Sequence, residues 1–378
     1  MPLIDPRIVK YAKLIVDYSL HPKKKDLVVI QCSPLGEPLA LECYRRLLEK
    51  GCFPHLRMST PTFAEIFIKE ASDWQLKFIS PLTKFEVTHV NGVIGINAPY
   101  NRKNLSNAEP KRLAEMQKAN QEINEIFMKR YAEGKLNWIG VNYPTDAFAQ
   151  EAGMSLDEYI EFLCEACFLN DKDPITAWKA LSRKQAKICQ FLNKVKTLHF
   201  VGLDTDFKLS VKGRKWVNCD ASTANLPDGE VFSGPIEDSA AGTIRFTFPG
   251  IYMGKEVEDI RLKFSKGKVV DFDAVKGKEL LGSILKMDPG AQRIGEIAFG
   301  TNYGIKRFTK SMLYDEKIGG TVHLALGRGF EESGSENKSA IHWDILKDMR
   351  DGGEAYADGK LFYKNGKFVD FDIKSKHH

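Results

Sequence analysis

Two textures of hydrophobic patterning divide the chain. In the first half, short continuous apolar runs alternate with stretches whose apolar residues recur at helical spacing. Asp26-Leu27-Val28-Val29-Ile30-Gln31-Cys32 is one such run, the pattern of a strand buried on both faces. Pro34 to Gly36 makes a turn. Leu39, Cys43 and Leu47 then share one face of a helix predicted over Leu39 to Lys50, capped by Gly51. Further strands are predicted at Pro54 to Met58, Thr88 to Ile96 and Trp138 to Asn142, and helices over Ser106 to Gly134, Ser155 to Leu169 and Pro174 to Asn193. Ser155 and Glu158 make a capping box. A strand-turn-helix-strand unit implies parallel pairing, so residues 1–193 read as an α/β domain with a parallel sheet. No G-x-G-x-x-G follows the first strand, which leaves a dinucleotide site unsupported.

From Thr197 the segments become short and alternating, with Gly, Pro, Asp and Asn between them. Strands are predicted at Lys196 to Leu203, Asp206 to Val211, Gly242 to Phe248, Val257 to Phe264 and Val269 to Ala274. Ser265-Lys266-Gly267-Lys268 is a hairpin signal, and Gly359-Lys360 and Asn365-Gly366-Lys367 join the last strands in the same way. One helix is predicted near Lys276 to Leu285. Residues 194–378 therefore read as a mainly β (α+β) second domain.

The same alternation exposes the candidate chemistry. In Ile341-His342-Trp343-Asp344-Ile345, His342 and Asp344 fall on one strand face and the apolar residues on the other. His323 shares a face with Thr321 and Ala325, small residues that leave room for an ion or a substrate. Glu296 sits between Gly295, which permits close backbone approach, and Ile297. Glu230 follows the turn Pro227-Asp228-Gly229 at the entrance to a strand. Taken singly, each has an ordinary reading: a satisfied core histidine, a solvated turn glutamate. Together they are metal-ligand types in apolar settings, where an unpaired carboxylate or imidazole costs several kcal/mol. A mixed His and carboxylate set without cysteine points away from a closed structural zinc site and towards an open catalytic one. Five or six ligands exceed what one tetrahedral ion needs, so two ions are an open reading.

The strings Gly229-Glu230-Val231-Phe232, Gly295-Glu296-Ile297-Ala298, Asp315-Glu316 and His323-Leu324-Ala325-Leu326-Gly327, followed by His342-x-Asp344, resemble the thermophilic aminopeptidase family typified by aminopeptidases T and S. The resemblance covers most of the chain and is sharpest from Asn225 to Asp344. It implies a two-metal exopeptidase of broad specificity that removes N-terminal residues from peptides. Glu230, Glu296, His323, His342 and Asp344 would be metal ligands and Glu316 the catalytic carboxylate, as base or ligand. It also implies two divalent ions (Zn, Co or Mn), a homodimer, and a metal-binding role for the second domain. Two departures stand out. Between Glu316 and His323 the chain carries about two more residues than the best-known members, including Gly319-Gly320. Where the family has a tyrosine, this chain has Phe330, so either another donor serves (Arg328, Ser333, Ser335 or, more loosely, Tyr303) or turnover is reduced. Arg328 and Phe330 are the candidate substrate-pocket residues.

Composition narrows the remaining classes. A chain of 378 residues with 43% hydrophobic and 28% charged residues is an ordinary globular protein with room for two cores. A net charge of +5 with no long Lys/Arg block gives no footprint for nucleic acid; Lys23-Lys24-Lys25 reads as a solvated turn. No signal-peptide pattern opens the sequence, and no run approaches the ~18 apolar residues of a membrane span. Seven scattered cysteines suit reduced thiols and a cytoplasmic location. Cys164-Glu165-Ala166-Cys167 lies in a helical stretch with no second pair and reads as packing thiols. His377 and His378 are set outside the site. Two rival readings remain: a single-iron oxygenase built on H-x-D, which leaves Glu230 and Glu296 unexplained, and a non-catalytic metal- or peptide-binding relative, motivated by Phe330.

Overall fold

The computed structural model of the protein describes residues 5–222 and 224–369, so His377 and His378 lie outside the described residues. The backbone divides into two compact units, Met1–Ala177 with Ala221–Pro227, and Trp178–Asp220 with Asp228–His378. The helix Pro174–Leu192 carries the chain from the first into the second.

The first unit is built on a parallel sheet. Its strands are β1 (Leu27–Cys32), β2 (Phe53–Met58), β3 (Gly92–Asn97) and β4 (Asn137–Asn142). The next three strands, β5 (Thr197–Gly202), β6 (Thr205–Ser210) and β7 (Val217–Cys219), belong to the second unit, after which β8 (Ala224–Leu226) pairs with β4. The sheet order is β2-β1-β3-β4-β8, every pair parallel. Val28, Ile30, Ile94, Ile96, Ile139 and Val141 are buried, as the continuous apolar runs require. The helix Glu37–Glu49 buries Leu39, Ala40, Cys43 and Leu47, the predicted face. The capping box at Ser155 and Glu158 is present at the start of the helix Leu156–Ala166.

Two predicted elements are redrawn. Residues 106–134 hold not one helix but two, Pro110–Ala119 and Gln121–Ala132. At Asn120 the side-chain amide donates to the Met116 carbonyl, a local bond that competes with helix propagation. The strand expected from Thr88 begins only at Gly92: Thr88 lies in the last turn of the helix Pro81–His89, its hydroxyl donating back to the Lys84 and Phe85 carbonyls.

The second unit is antiparallel. Its remaining strands are β9 (Glu230–Ser233), β10 (Ala241–Arg245), β11 (Gly250–Tyr252), β12 (Lys255–Val257), β13 (Arg261–Ser265), β14 (Lys268–Asp273), β15 (Ile294–Gly300), β16 (Thr321–Gly327), β17 (His342–Asp348), β18 (Glu354–Ala357), β19 (Lys360–Lys364) and β20 (Lys367–Phe368). The segment expected as one strand over Val257 to Phe264 is β12 and β13, broken where Asp259 takes a positive φ. The predicted hairpin turns are present at Lys266-Gly267, Asp358-Gly359 and Asn365-Gly366, both central residues of each with positive φ.

Two larger sheets form. One runs β14-β13-β10-β6-β5-β18-β19-β20 and the other β17-β16-β15-β9-β7. They share one core: Phe200, Phe207 and Phe264 of the first meet Val231, Ile297, Phe299, Leu324 and Ile345 of the second. Phe299 is central, 6.0 Å from Phe200 and 5.2 Å from Tyr363 between ring centroids. Strand alternation then sends the intervening residues of the five-stranded sheet to its opposite face.

Candidate metal centre

That opposite face collects the candidate ligands. Glu230 opens β9, Glu296 lies in β15, His323 in the middle of β16, and His342 and Asp344 in β17. Register aligns them across the strands. Ala325 stands opposite both Glu296 and Asp344, Gly327 opposite His342, Ala298 opposite His323, and Gly300 opposite Glu230. Each ligand type thus faces a small residue on one side, while on the other His323 faces Leu346 and Glu230 faces Cys219. A bulge between Ile294 and Glu296 re-aims Glu296. Gly295 makes the bulge feasible: a β-carbon there would lie 2.3 Å from the Gly327 oxygen and 2.4 Å from the Arg328 oxygen.

The side chains converge. His323 Nε2 lies 3.1 Å from Glu296 Oε1, 3.4 Å from Glu230 Oε2 and 3.9 Å from Asp344 Oδ1. His342 Nε2 lies 3.7 Å from Glu296 Oε2 and 3.4 Å from Asp344 Oδ1. Glu296 therefore turns one oxygen towards each histidine. His342 is oriented from behind, its Nδ1 2.7 Å from the Arg328 carbonyl; such an acceptor selects the tautomer with Nδ1 protonated and Nε2 free to ligate. All but His342, which is partly exposed, are buried. Glu230 Oε2, Asp344 Oδ1 and His323 Nδ1 have no hydrogen-bond partner. Buried polar atoms without partners call for an explanation, and convergent orphan carboxylate oxygens beside imidazole nitrogens fit a divalent cation of the Zn, Co or Mn kind. One ligand atom each from Glu230, Glu296 and His323 already lies within 4.8 Å of the others.

Glu316 follows the short helix Met312–Asp315 and is partly buried at the cluster, close enough to feel the charges of Glu230, Asp344 and His323. Its carboxylate contacts the Lys317 ammonium directly. Phe330 lies over the site's rim, its ring 4.9 Å from that of His342 and 5.5 Å from that of Phe232. It is 45% exposed, a surface open to a ligand. Arg328 contributes its carbonyl, while its side chain is exposed. Of the substitute donors, Tyr303 is committed elsewhere, its hydroxyl donating to the Gly366 carbonyl at 2.6 Å, and Ser333 donates to the Phe330 carbonyl at 2.7 Å. Ser335 Oγ is buried without a partner.

Sequence reasoning missed three groups. Lys317 is 1% exposed, its Nζ 3.1 Å from Glu230 Oε1 and 3.9 Å from Asp228 Oδ1. A lysine beside a glutamate in a Gly-rich loop carries no signal of burial. Asp228, read only as a turn residue, is buried and accepts from the Gly229 amide. Gln185, on the helix Pro174–Leu192, donates its amide to the Glu230 and Cys219 carbonyls and so seats the start of β9.

The cluster's charges pull against its burial. Burial disfavours the imidazolium of both histidines, yet Glu296, Glu230 and Asp344 together outweigh it at His323, and Asp344, Glu296 and the Arg328 carbonyl together at His342, so the two are raised to about 9 and about 10. Burial pushes Glu296, Glu316 and Asp228 upward. At Glu316 and Asp228 the Lys317 ammonium opposes that push. Asp344 goes the other way: burial raises it, but His342, His323 and Lys317 together more than compensate. The protein alone thus balances its acids with protons on two histidines, protons that a divalent cation would displace.

The chain as a whole has known counterparts. The model of the thermophilic metalloprotease (M29) family matches residues 4–368. The chain belongs to this family. Aminopeptidase 2 of Geobacillus stearothermophilus is 31% identical, over 67% of this chain and 69% of the relative. Aminopeptidase AmpS of Bacillus subtilis is 25% identical over 98% of this chain and 100% of its own length. A solved structure of wild-type AmpT from Thermus thermophilus superposes with a TM-score of 0.82 over 96% of this chain and 99% of that chain, at 23% identity, and shares the fold. As a member of the thermophilic metalloprotease family, the chain is a metal-dependent hydrolase, and its expected architecture, a parallel α/β part followed by a mainly antiparallel part, is the one observed.

Proposed function

We propose that the chain is a metallo-aminopeptidase that removes N-terminal residues from peptides with broad specificity, using two divalent ions held by Glu230, Glu296, His323, His342 and Asp344. The observation that carries the two-ion reading is Glu296, whose oxygens face different histidines, 3.1 Å from His323 and 3.7 Å from His342. A carboxylate so placed would help to hold both ions. The peptidase part rests on family membership and on the aminopeptidase names of the relatives. The iron-oxygenase alternative uses only an H-x-D pair and one further ligand and leaves the buried Glu230 and Glu296 without a purpose.

Bound at this site, divalent ions supply Lewis acidity, polarising a peptide carbonyl and lowering the pKa of water from roughly 15.7 to about 7. The chain's own groups do the rest. Glu316 takes the proton of the attacking water and returns it to the leaving amine, a role for which a carboxylate pushed upward by burial is suited. Lys317 holds Glu316 in place by direct contact. Phe330 offers an exposed apolar face beside His342 to the substrate side chain. A homodimer is part of this reading. Exposed Phe63, Trp74, Leu82 and Phe85, each at least 62% accessible, support a partner on the first unit, and sedimentation analysis tests it. Six of the seven cysteines are buried free thiols, which suits a reducing cytoplasm. No helix among the described residues is long and apolar enough to cross a membrane.

The test is hydrolysis of aminoacyl-p-nitroanilides and short peptides by chelator-stripped protein, with Zn, Co or Mn added back, against N-acetylated controls. The expected result is metal-dependent release from free N-termini only. Metal binding without hydrolysis of any peptide would establish the non-catalytic relative instead, and turnover requiring iron and oxygen would establish the oxygenase.

A further inference from the structure

A lysine buried inside a metal-ligand cluster is an unusual occupant, because it is a cation competing for the same oxygens. Lys317 Nζ contacts Glu316, lies 3.1 Å from Glu230 Oε1 and lies 3.9 Å from Asp228 Oδ1. Around the same point stands a second set of ligand types. Cys219, Asp228 and Glu230 each bring one ligand atom within 4.8 Å of the others. Glu230 is common to this set and to the set with Glu296 and His323. Its two oxygens are divided: Oε1 goes to Lys317, while Oε2 faces His323 without a hydrogen-bond partner.

We propose that Lys317 is a tethered cation occupying a third cation position, formed by Cys219, Asp228, Glu230 and Glu316, and that it confines divalent ions to the Glu296 side of Glu230. The inference rests on the metal-centre reading above. Charge balance favours it. Five carboxylates surround the two sets, at positions 228, 230, 296, 316 and 344. Two divalent ions neutralise four of them, and the ammonium neutralises the fifth, so a third divalent ion would leave the buried pocket in excess positive charge. The ammonium also leaves Glu230 a single oxygen for metal, which keeps coordination positions open on the ion it shares with His323, as a catalytic site needs. Breaking a buried pair by removing one partner leaves the other uncompensated. Without the ammonium, the vacated oxygens and the Cys219 sulfur should therefore recruit a cation from solution. Lys317 is thus a positioning residue for Glu230 and Glu316.

Cobalt reports this directly, because a thiolate bound to Co(II) adds a near-ultraviolet charge-transfer band and oxygen or imidazole ligands do not. The experiment loads the full chain with Co(II), counts ions per chain by elemental analysis, and records the spectrum for wild type, Lys317→Met, Lys317→Gln and the double variant Lys317→Met with Cys219→Ser. Expected are no thiolate band in wild type, one additional ion per chain with a new thiolate band in Lys317→Met and Lys317→Gln, and loss of that band in the double variant. A thiolate band in wild type overturns the proposal, since the lysine would then not exclude the ion. Folded variants that bind the same number of ions as wild type overturn it too. If both variants fail to fold, the wild-type spectrum and ion count decide. Wild type that binds no divalent ion at any site defeats the metal-centre reading itself, and this proposal with it; wild type that binds ions while the variants gain none defeats this proposal alone.

Discussion

One close constraint on the site is a backbone contact, and replacing Gly295 by alanine probes it. The new methyl would lie 2.3 Å from the Gly327 oxygen, 2.4 Å from the Arg328 oxygen and 2.5 Å from the Arg328 carbonyl carbon. Ordinary carbon–oxygen contacts are about 3.3 Å or longer, so β15 and the chain leaving β16 must part by roughly 1 Å. Both partners are backbone and cannot rotate away. Overpacking commonly costs about 1–3 kcal/mol, and the upper end applies here. For a unit of this size about 1 kcal/mol shifts the midpoint by about 2–4 °C, so a fall of about 6–12 °C is expected. The displacement also reaches the site, because the next residue is Glu296 and the Arg328 carbonyl orients His342 at 2.7 Å. Loss of such an orienting contact typically weakens metal binding by about 10–100-fold. Gly95→Ala is the control: its β-carbon meets only the Ile139 oxygen, at 3.8 Å. Thermal unfolding and isothermal titration with Zn or Co, run on both variants, give the answer. If Gly295→Ala melts and binds metal as Gly95→Ala does, the bulge does not position the site and the reasoning fails.

Three further outcomes follow from the same geometry. Glu316→Gln should lower kcat by about 10²–10⁴-fold while leaving metal stoichiometry unchanged; loss of an ion in elemental analysis would make Glu316 a ligand rather than the base. Phe330→Tyr keeps the packing against the His342 ring and adds a hydroxyl at the rim, so kcat should rise severalfold at matched metal occupancy. A donor aimed at an oxyanion is worth about 2.7–4 kcal/mol when well aligned, and no gain would show that this position does not limit turnover. Burial pushes the Asp315 carboxyl up to about 7 against hydrogen bonds from Thr309. An acid raised in the folded state contributes stability that is present below its unfolded value of about 3.9 and lost as pH rises through about 7. Asparagine at 315 keeps an oxygen for the Thr309 amide and hydroxyl and removes that proton, so wild type should lose stability relative to Asp315→Asn between pH 4 and 8. Denaturation midpoints that run parallel over that range would refute it.

Much of this protein was legible in one dimension because the relevant physics is local. Val28 to Ile30 needs burial on both sides, and that alone announces a central parallel strand. Lys266-Gly267 and Asn365-Gly366 demand left-handed backbone and so announce hairpins. Within a strand the alternation of His342, Trp343 and Asp344 sets which side chains share a face, and the family strings around Glu230, Glu296 and His323 carried the order of the site. Local rules failed where a neighbour intervened: the Asn120 side chain split a helix, and Asp259 split a strand.

Tertiary structure decided everything that depends on register. Nothing along the chain says that Ala325 lies opposite both Glu296 and Asp344, or that Gly327 lies opposite His342. One residue of slip would have turned the whole ligand set into the core. Nor does the sequence distinguish Lys317 from the chain's many solvated lysines. Its burial follows from where a loop of β16's entry meets the start of β9, and only there do Asp228, Glu230 and Glu316 supply the negative charge that lets an ammonium leave water.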